Sequence, residues 1–334
     1  MLLLLVNVVL FLFALYLILK GSDWITDSSV HIAHKLETSN MAVGLMVISL
    51  LLSLPELVIA LSSILKGHAQ LGFGANIGSV IVNLGLIVGL SAIIKPMRVP
   101  RIMVTRDMIF MVVVTIVVVA MALEDRSLSR SDGLVFILLF IPYALNVYEQ
   151  EHNLTYIERR IKAEKMAQVL EMHGEYGVHH KPQSGTRIFL LGVAFLLVGT
   201  EIFLRVLLNL ADVLSLPELL VGVTLGAIGP SIPNLAAALG AARKGVEELV
   251  ISETIGANVF TLLITIGLIA LFSPMPVDDL TATVTAPALL LVTFILLAVM
   301  LSGRVRRRDG LLLILVYIGT MMAEFLFRIN HGGL

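Results

Sequence analysis

Ten apolar stretches alternate with more polar segments along the 334-residue chain. A helix that spans a bilayer needs about 20 largely apolar residues, and each stretch approaches or exceeds that length. The stretches lie near residues 2–20, 42–65, 71–94, 102–123, 133–149, 187–207, 217–242, 246–272, 280–302 and 310–329. The pattern therefore predicts an all-α integral membrane protein with ten transmembrane helices.

The two halves of the chain repeat one sequence pattern. Residues 43–90 and 221–268 align without a gap at an offset of 178, with 15 identities in 48 positions. The matched residues include a serine, a proline, a lysine and four glycines, which apolar composition alone would not place in register. Because each half carries five predicted spans, an odd number, the second half must enter the membrane from the opposite face. We expect two inverted five-helix repeats, 1–149 and 187–334, joined by a linker at 150–186.

Lysine and arginine predict the orientation of these spans. If the first span runs inward, 18 of the 23 lysines and arginines fall on the side of the linker and four fall on the other side. Cytoplasmic segments of membrane proteins carry the excess of such residues. The sequence therefore predicts that both termini lie outside and that the 150–186 linker lies in the cytoplasm.

Composition narrows the classes of function. The chain is 58% hydrophobic and 14% charged, with a mean hydropathy of +0.98, so the lipid bilayer is its main surrounding. A net charge of −1 argues against a nucleic-acid partner, and the absence of cysteine excludes disulfides, thiolate metal sites and cysteine nucleophiles. No nucleophile and base arrangement favours an enzyme. We expect no cofactor, and the sequence identifies no protein partner.

Each repeat carries a proline and small polar residues in the middle of an apolar span. The segments are SLLLSLPELVIA, with Pro55, and GAIGPSIPNLAA, with Pro233. Proline removes a helix hydrogen bond, and at membrane depth the freed carbonyls are tolerated where they line a wet cavity. Backbone carbonyls are also good ligands for hard cations. The sequence therefore predicts a kink and a candidate ion site in both halves.

Glu56 follows Pro55 directly and is the first candidate for a functional residue. An ionisable side chain near mid-bilayer costs about 2.5–3.5 kcal/mol, so it is seldom present without a use. The next span contains further polar groups, of which Ser79 and Asn83 are four residues apart and share a helical face. The alternative is a protonated glutamate that only bonds a neighbouring carbonyl.

These motifs resemble the alpha repeats of the calcium/cation antiporter superfamily, in the prokaryotic form of the sodium/calcium exchangers. Members show G-T-S-x-P-E in one helix and G-N-x-I-G-S-N-I-x-N/D in the next. The resemblance implies a secondary active antiporter of a prokaryotic cell membrane that moves Na⁺ and Ca²⁺ by alternating access around a central site. The site residues that it implies are Ser53, Glu56, Ser79, Asn83, Ser231, Asn234 and Thr261. Of these, Glu56, Asn83 and Asn234 are the expected metal ligands.

The chain departs from the family pattern at several core positions. The departing residues are Leu51, Leu52, Pro230, Asn234, Ala257 and Thr261. Asn234 and Thr261 stand where acids are expected, so Glu56 is expected to be the only carboxylate of the core. One carboxylate neutralises Na⁺ or a proton but not Ca²⁺. Two alternatives therefore stand beside Na⁺/Ca²⁺ exchange: a monovalent cation/proton exchanger, and a transport-incompetent scaffold with the same fold.

Other charged residues also lie within or near the apolar spans. Glu201 and Arg205 are four residues apart in the sixth span, a spacing that favours a structural ion pair. Asp107 and Glu324 lie close to the ends of the fourth and tenth spans. We expect both of these acids to be interfacial.

Overall fold

The computed structural model describes residues 2–35, 53–153, 185–244 and 247–331. Within these ranges ten helices follow one another, and we number them α1 to α10. They are α1 Leu2–Lys35, α2 Leu54–Leu65, α3 Ala69–Ile94, α4 Arg101–Glu124, α5 Arg130–Asn153, α6 Thr186–Val213, α7 218–244, α8 247–272, α9 Thr281–Leu301 and α10 Arg307–His331. Most of the predicted 150–186 linker lies outside the described residues.

Eight of the described helices are long and apolar enough to cross a membrane. The exceptions are α2 and α7, whose apolar segments in the described part of the chain are Leu54–Leu65 and Glu218–Ile232. The span predicted at 42–65 begins among residues outside that part. Eight of the predicted spans are therefore confirmed by length and composition.

Helices α3 and α8 lie at the centre of the helix bundle. Every residue from 71 to 85 of α3 is buried, and α8 buries most of its length. By contrast, α1, α5 and α10 expose large apolar side chains such as Leu12, Leu138 and Leu326. A helix that is apolar on all sides belongs in a core, and exposed apolar side chains suit a lipid-facing surface. The central pair carries three of the seven polar candidate residues, Ser79, Asn83 and Thr261.

Five of the helices contain a π-helical turn. The turns are Val82–Ile87, Val104–Met108, Gly222–Gly226, Thr261–Thr265 and Thr281–Thr285. The turns of α3 and α8 contain Asn83 and Thr261, which are equivalent positions of the repeat. A π turn changes the direction of the side chains that follow it and is common at functional sites.

The two repeat prolines occupy different local structures. Within the described residues α2 begins at Leu54, so Pro55 lies in its first turn, where the missing N–H has no helical partner to lose. Helix α7 continues past position 233 to Lys244. The predicted kink at Pro55 depends on residues 42–52 as well, which lie outside the described residues, and it stays a prediction.

Close approaches between helices occur at glycines. A Cβ on Gly310 of α10 would lie 2.5 Å from the carbonyl oxygen of Gly89 in α3. A Cβ on Gly133 of α5 would lie 2.5 Å from the carbonyl oxygen of Gly267 in α8. Gly89 and Gly267 are equivalent positions of the repeat, so the same contact occurs once with each central helix.

Four two-residue strands connect the halves of the chain. They are β1 Met97–Arg98, β2 Ser127–Leu128, β3 Met275–Pro276 and β4 Arg304–Val305. β1 pairs with β4 and β2 pairs with β3, both antiparallel. Helix α4 separates β1 from β2 by 24 residues, which span about 36 Å at the usual rise. The two small sheets therefore lie at opposite ends of the bundle.

Candidate functional site

Glu56 lies in the first turn of α2 and is 2% exposed. Its Oε1 accepts hydrogen bonds from Ser79 Oγ of α3, at 3.4 Å, and from Asn234 Nδ2 of α7, at 3.2 Å. Ser79 Oγ is also 2.9 Å from Ser231 Oγ. The structure thus brings together four of the predicted site residues from both halves of the chain.

Asn83 lies beside this group in the π turn of α3. Its Nδ2 donates to Asn258 Oδ1 of α8 at 2.8 Å. Asn258 is buried and was not among the predicted site residues, since it aligns with Val80 in the first repeat. The signal for it is its match to the asparagine of the G-S-N-I segment of the family pattern. Thr261 is also buried, two per cent exposed, in the π turn of α8. In the described part of the chain no hydrogen bond joins Thr261 to Glu56 or Asn83.

Several buried oxygens of the site have no hydrogen-bond partner among the described residues. They are Ser53 Oγ, Glu56 Oε2 and Asn83 Oδ1. Buried polar atoms are normally bonded, so each of these atoms requires an explanation. Carboxylate, amide and hydroxyl oxygens are the ligands of hard cations. This set of atoms therefore has the chemistry of a cation's ligands.

A cavity lies beside the site between α3, α7 and α8. The residues that line it are Asn83, Asn234, Ala238, Ala241, Val250, Glu253, Thr254 and Ala257. Two of them, Asn83 and Asn234, belong to the predicted site. The cavity therefore gives the polar group of α3 and α7 access to a space large enough to be hydrated or to hold an ion.

Glu253 corrects one expectation drawn from the sequence. Glu56 is not the only carboxylate of the core, because Glu253 lines the cavity and its Oε1 is buried without a hydrogen-bond partner. A search for acids at the aligned motif positions misses Glu253, since it aligns with Ala75. The available signal is its position within the apolar stretch predicted at 246–272, where an acid is costly.

One prediction about the other membrane charges is confirmed. Glu201 and Arg205 do form an ion pair, with 2.6 Å between Arg205 Nε and Glu201 Oε1, and Lys66 Nζ joins it at 2.7 Å. Asp107 and Glu324 are buried in the protein, 2% and 0% exposed, and their predicted interfacial depth in the membrane stays a prediction. Asp107 pairs with Arg106, and Glu324 accepts a hydrogen bond from Thr285 Oγ1 at 3.0 Å. Each of these acids thus has one polar partner inside the bundle.

Among the described residues, no three histidine, aspartate or glutamate side chains form a cluster able to hold a metal ion. The site instead combines one carboxylate with amide and hydroxyl groups. Such a set of ligands suits a cation that binds and leaves, rather than a resident structural metal.

The chain matches the family described as sodium/calcium exchanger protein over residues 6–148 and 184–326, which are its two halves. The chain belongs to this family. As a member it is an integral membrane cation antiporter and not an enzyme, which confirms the family and the class of function expected from the alpha-repeat motifs.

Individual relatives agree with this assignment. Sodium/calcium exchanger MaX1 of Methanosarcina acetivorans is 27% identical over 345 aligned positions, which cover 96% of this chain and 99% of the relative. Inner membrane protein YrbG of Escherichia coli is 29% identical over 296 positions, covering 86% of each. A solved structure of the sodium-calcium exchanger NCX_Mj matches with a TM-score of 0.65 and 25% identity, covering 95% of this chain and 98% of that one.

Proposed function

We propose that this protein exchanges Ca²⁺ for Na⁺ across a prokaryotic cell membrane, with Glu56 as the central ligand of the transported ion. The observation that carries the proposal is the contact between Glu56 and Asn234. These residues are equivalent positions of the two repeats, 178 residues apart, and Asn234 Nδ2 donates to Glu56 Oε1 at 3.2 Å. The proline-containing motifs of the two repeats therefore meet at this contact. A transport site between two inverted repeats requires such a meeting.

The short strands support an inverted arrangement of two five-helix repeats. β1 and β3 are equivalent positions of the repeat, with Met97 opposite Met275 in the alignment. They belong to different sheets, and α4 holds those sheets at opposite ends of the bundle. Equivalent segments on opposite faces are the mark of an inverted repeat. In this arrangement α2 and α7 complete a set of ten transmembrane helices.

The two repeats differ where an ion would enter, which supports alternating access. The cavity passes Ala238, Ala241 and Val250 in the second repeat. The equivalent residues of the first repeat are Ala60, Ser63 and Gly72, and all three are buried. A Cβ on Gly72 would overlap Ser63 Oγ. The second-repeat residues are buried as well, so the difference lies in the packing: a cavity borders α7 and α8, whereas Gly72 packs closely on Ser63 between α2 and α3. In the proposed cycle these two arrangements exchange, which would expose Glu56 to the other side.

Polar contacts between the repeats lie beside the closely packed region of α2 and α3. Lys66 Nζ is 2.7 Å from Glu201 Oε2, and His68 Nδ1 is 2.8 Å from Glu218 Oε1. These contacts join the α2–α3 connection to α6 and to the start of α7. With both termini outside and the 150–186 linker in the cytoplasm, these contacts lie toward the outer face and the cavity lies nearer the cytoplasmic face.

The proposal is tested by ion flux in proteoliposomes. Vesicles loaded with Na⁺ are diluted into Na⁺-free medium that contains radioactive Ca²⁺, and lumenal pH is recorded in parallel. We expect Ca²⁺ uptake that requires the outward Na⁺ gradient. Glu56→Gln should lower the initial rate at least tenfold, because the amide keeps the shape of the side chain and loses its charge.

The matched control is Glu324→Gln, which neutralises a buried carboxylate outside the site and should leave the rate within twofold. Wild-type rates in Glu56→Gln, or uptake that ignores Na⁺, would contradict the proposal. One observation favours a second function: Asn234 and Thr261 are uncharged where the family pattern has acids. A Na⁺- or K⁺-driven pH change without Ca²⁺ movement would establish monovalent cation/proton exchange, and the absence of all flux would indicate a scaffold.

A further inference from the structure

Glu253 lies on the face of α8 that borders the cavity. The cavity-lining residues of this helix are Val250, Glu253, Thr254 and Ala257, a spacing of three, four and seven residues that defines one helical face. Asn234, Ala238 and Ala241 line the opposite wall with the same spacing on α7. The carboxylate of Glu253 is therefore part of the wall of the ion pathway and not of the lipid-facing surface.

The polar atoms around this space are incompletely bonded. Glu253 Oε1 and Asn83 Oδ1 are both buried and have no hydrogen-bond partner in the described part of the chain. Asn83 is 2% exposed and also lines the cavity. Both residues line the cavity, and each holds one buried oxygen without a partner, so a cation that enters between them could satisfy oxygens that an apolar molecule could not.

Glu253 lies on the same face of α8 as Thr261, the position at which the family pattern has an acid or amide. The two residues are eight positions apart, which is about two helical turns or 12 Å along the axis, and they share a face with Ala257. Asn234, the other position at which an acid is expected, contacts Glu56 and lines the cavity with Glu253. The amide of Asn234 thus links the two carboxylates: it bonds Glu56 and shares a cavity with Glu253.

We propose that Glu253 is the second anionic ligand of the transport site, and that it replaces the acids absent at Asn234 and Thr261. Glu56 contacts Asn234, and Asn234 lines the cavity with Glu253, so a divalent cation held between the two glutamates would be balanced by two negative charges. The inference rests on the proposed function and selects its substrate class, divalent cations with Ca²⁺ as the probe. A single charge at Glu56 would leave a divalent ion with one uncompensated positive charge in a poorly polarisable interior.

The test is equilibrium binding of radioactive Ca²⁺ to the purified full-length protein in nanodiscs. Glu253→Gln should raise the Ca²⁺ concentration for half-saturation at least tenfold and leave the Na⁺ concentration for half-maximal thermal stabilisation within twofold. Combining Glu253→Gln with Thr261→Asp restores an acid to the same helix face and should recover most of the Ca²⁺ affinity. Glu324→Gln is the control and should bind as the wild type does.

A second measurement needs no substitution. Dicyclohexylcarbodiimide modifies membrane-buried carboxyl groups, and mass spectrometry reports the modified residue. Ca²⁺ should protect Glu56 and Glu253 at the same half-saturating concentration and leave Glu324 unprotected. Protection of Glu56 alone, or unchanged Ca²⁺ affinity in Glu253→Gln, overturns the role of Glu253 and leaves the proposed function in place. If neither Glu56→Gln nor Glu253→Gln alters Ca²⁺ binding, both proposals fail.

Discussion

Gly72→Ala should open the side of the transporter that is closed between α2 and α3. The added methyl would overlap Ser63 Oγ and lie 2.8 Å from Ser63 Cβ, whereas ordinary carbon contacts are about 3.5–4.0 Å. The two helices would have to separate by roughly 1 Å, and overpacking of this kind costs about 1–3 kcal/mol. If the penalty falls on the closed state alone, the equilibrium moves toward the open state by about 5- to 150-fold.

The assay uses the absence of native cysteine. Ala60 of α2 is 0% exposed, lies beside Gly72 and is the repeat equivalent of cavity-lining Ala238, so Ala60→Cys should react with a membrane-impermeant maleimide only when α2 and α3 separate. Adding Gly72→Ala to this reporter should raise the labelling rate by about 5- to 150-fold. Adding Ser63→Gly as well removes the overlapping atoms and should return the rate toward its original value.

Gly319→Ala is the matched control, because a Cβ at Gly319 meets no atom within 4 Å. It should leave the labelling rate unchanged. An equal labelling rate with and without Gly72→Ala, in protein that remains monodisperse, would refute the reasoning that this packing closes the site.

Two further predictions concern charge and orientation. Asn234→Glu combined with Thr261→Asp should raise Ca²⁺ affinity, measured as radioactive Ca²⁺ binding, because it adds anionic ligands beside Glu56; unchanged affinity would count against the site geometry. A single cysteine at exposed Asp125 should be labelled from outside in intact cells, and one at exposed Arg306 should be labelled only after the cells are permeabilised. Labelling of both positions from one side would exclude the predicted topology.

Much of the helix arrangement could be read from the sequence, because hydrophobic length and the internal repeat are both strong signals. The repeat also identified Glu56, Ser79, Ser231 and Asn234, which the structure brings into contact. Equivalent motif positions meet at the axis of a duplicated fold, so alignment of the halves predicts proximity across 178 residues.

The sequence was less informative about which side of each helix faces the interior of the bundle. Hydropathy located Asp107 and Glu324 near span ends but did not show that they face the bundle interior, where Arg106 and Thr285 partner them. Glu253 and Asn258 were missed for a related reason, since each aligns with an apolar residue in the other repeat. A π turn in α8 and the packing of α7 determine which side chains face the cavity, and neither follows from periodicity.

The crossed pairing of the short strands has a consequence for how the protein is assembled. β1 and β2 both belong to the first half, and both find their partners, β4 and β3, in the second. A first half produced alone would therefore leave the backbone groups of both of its strands without their partners. The two described sheets thus tie the halves together at both ends of the bundle, so neither sheet can form within one half.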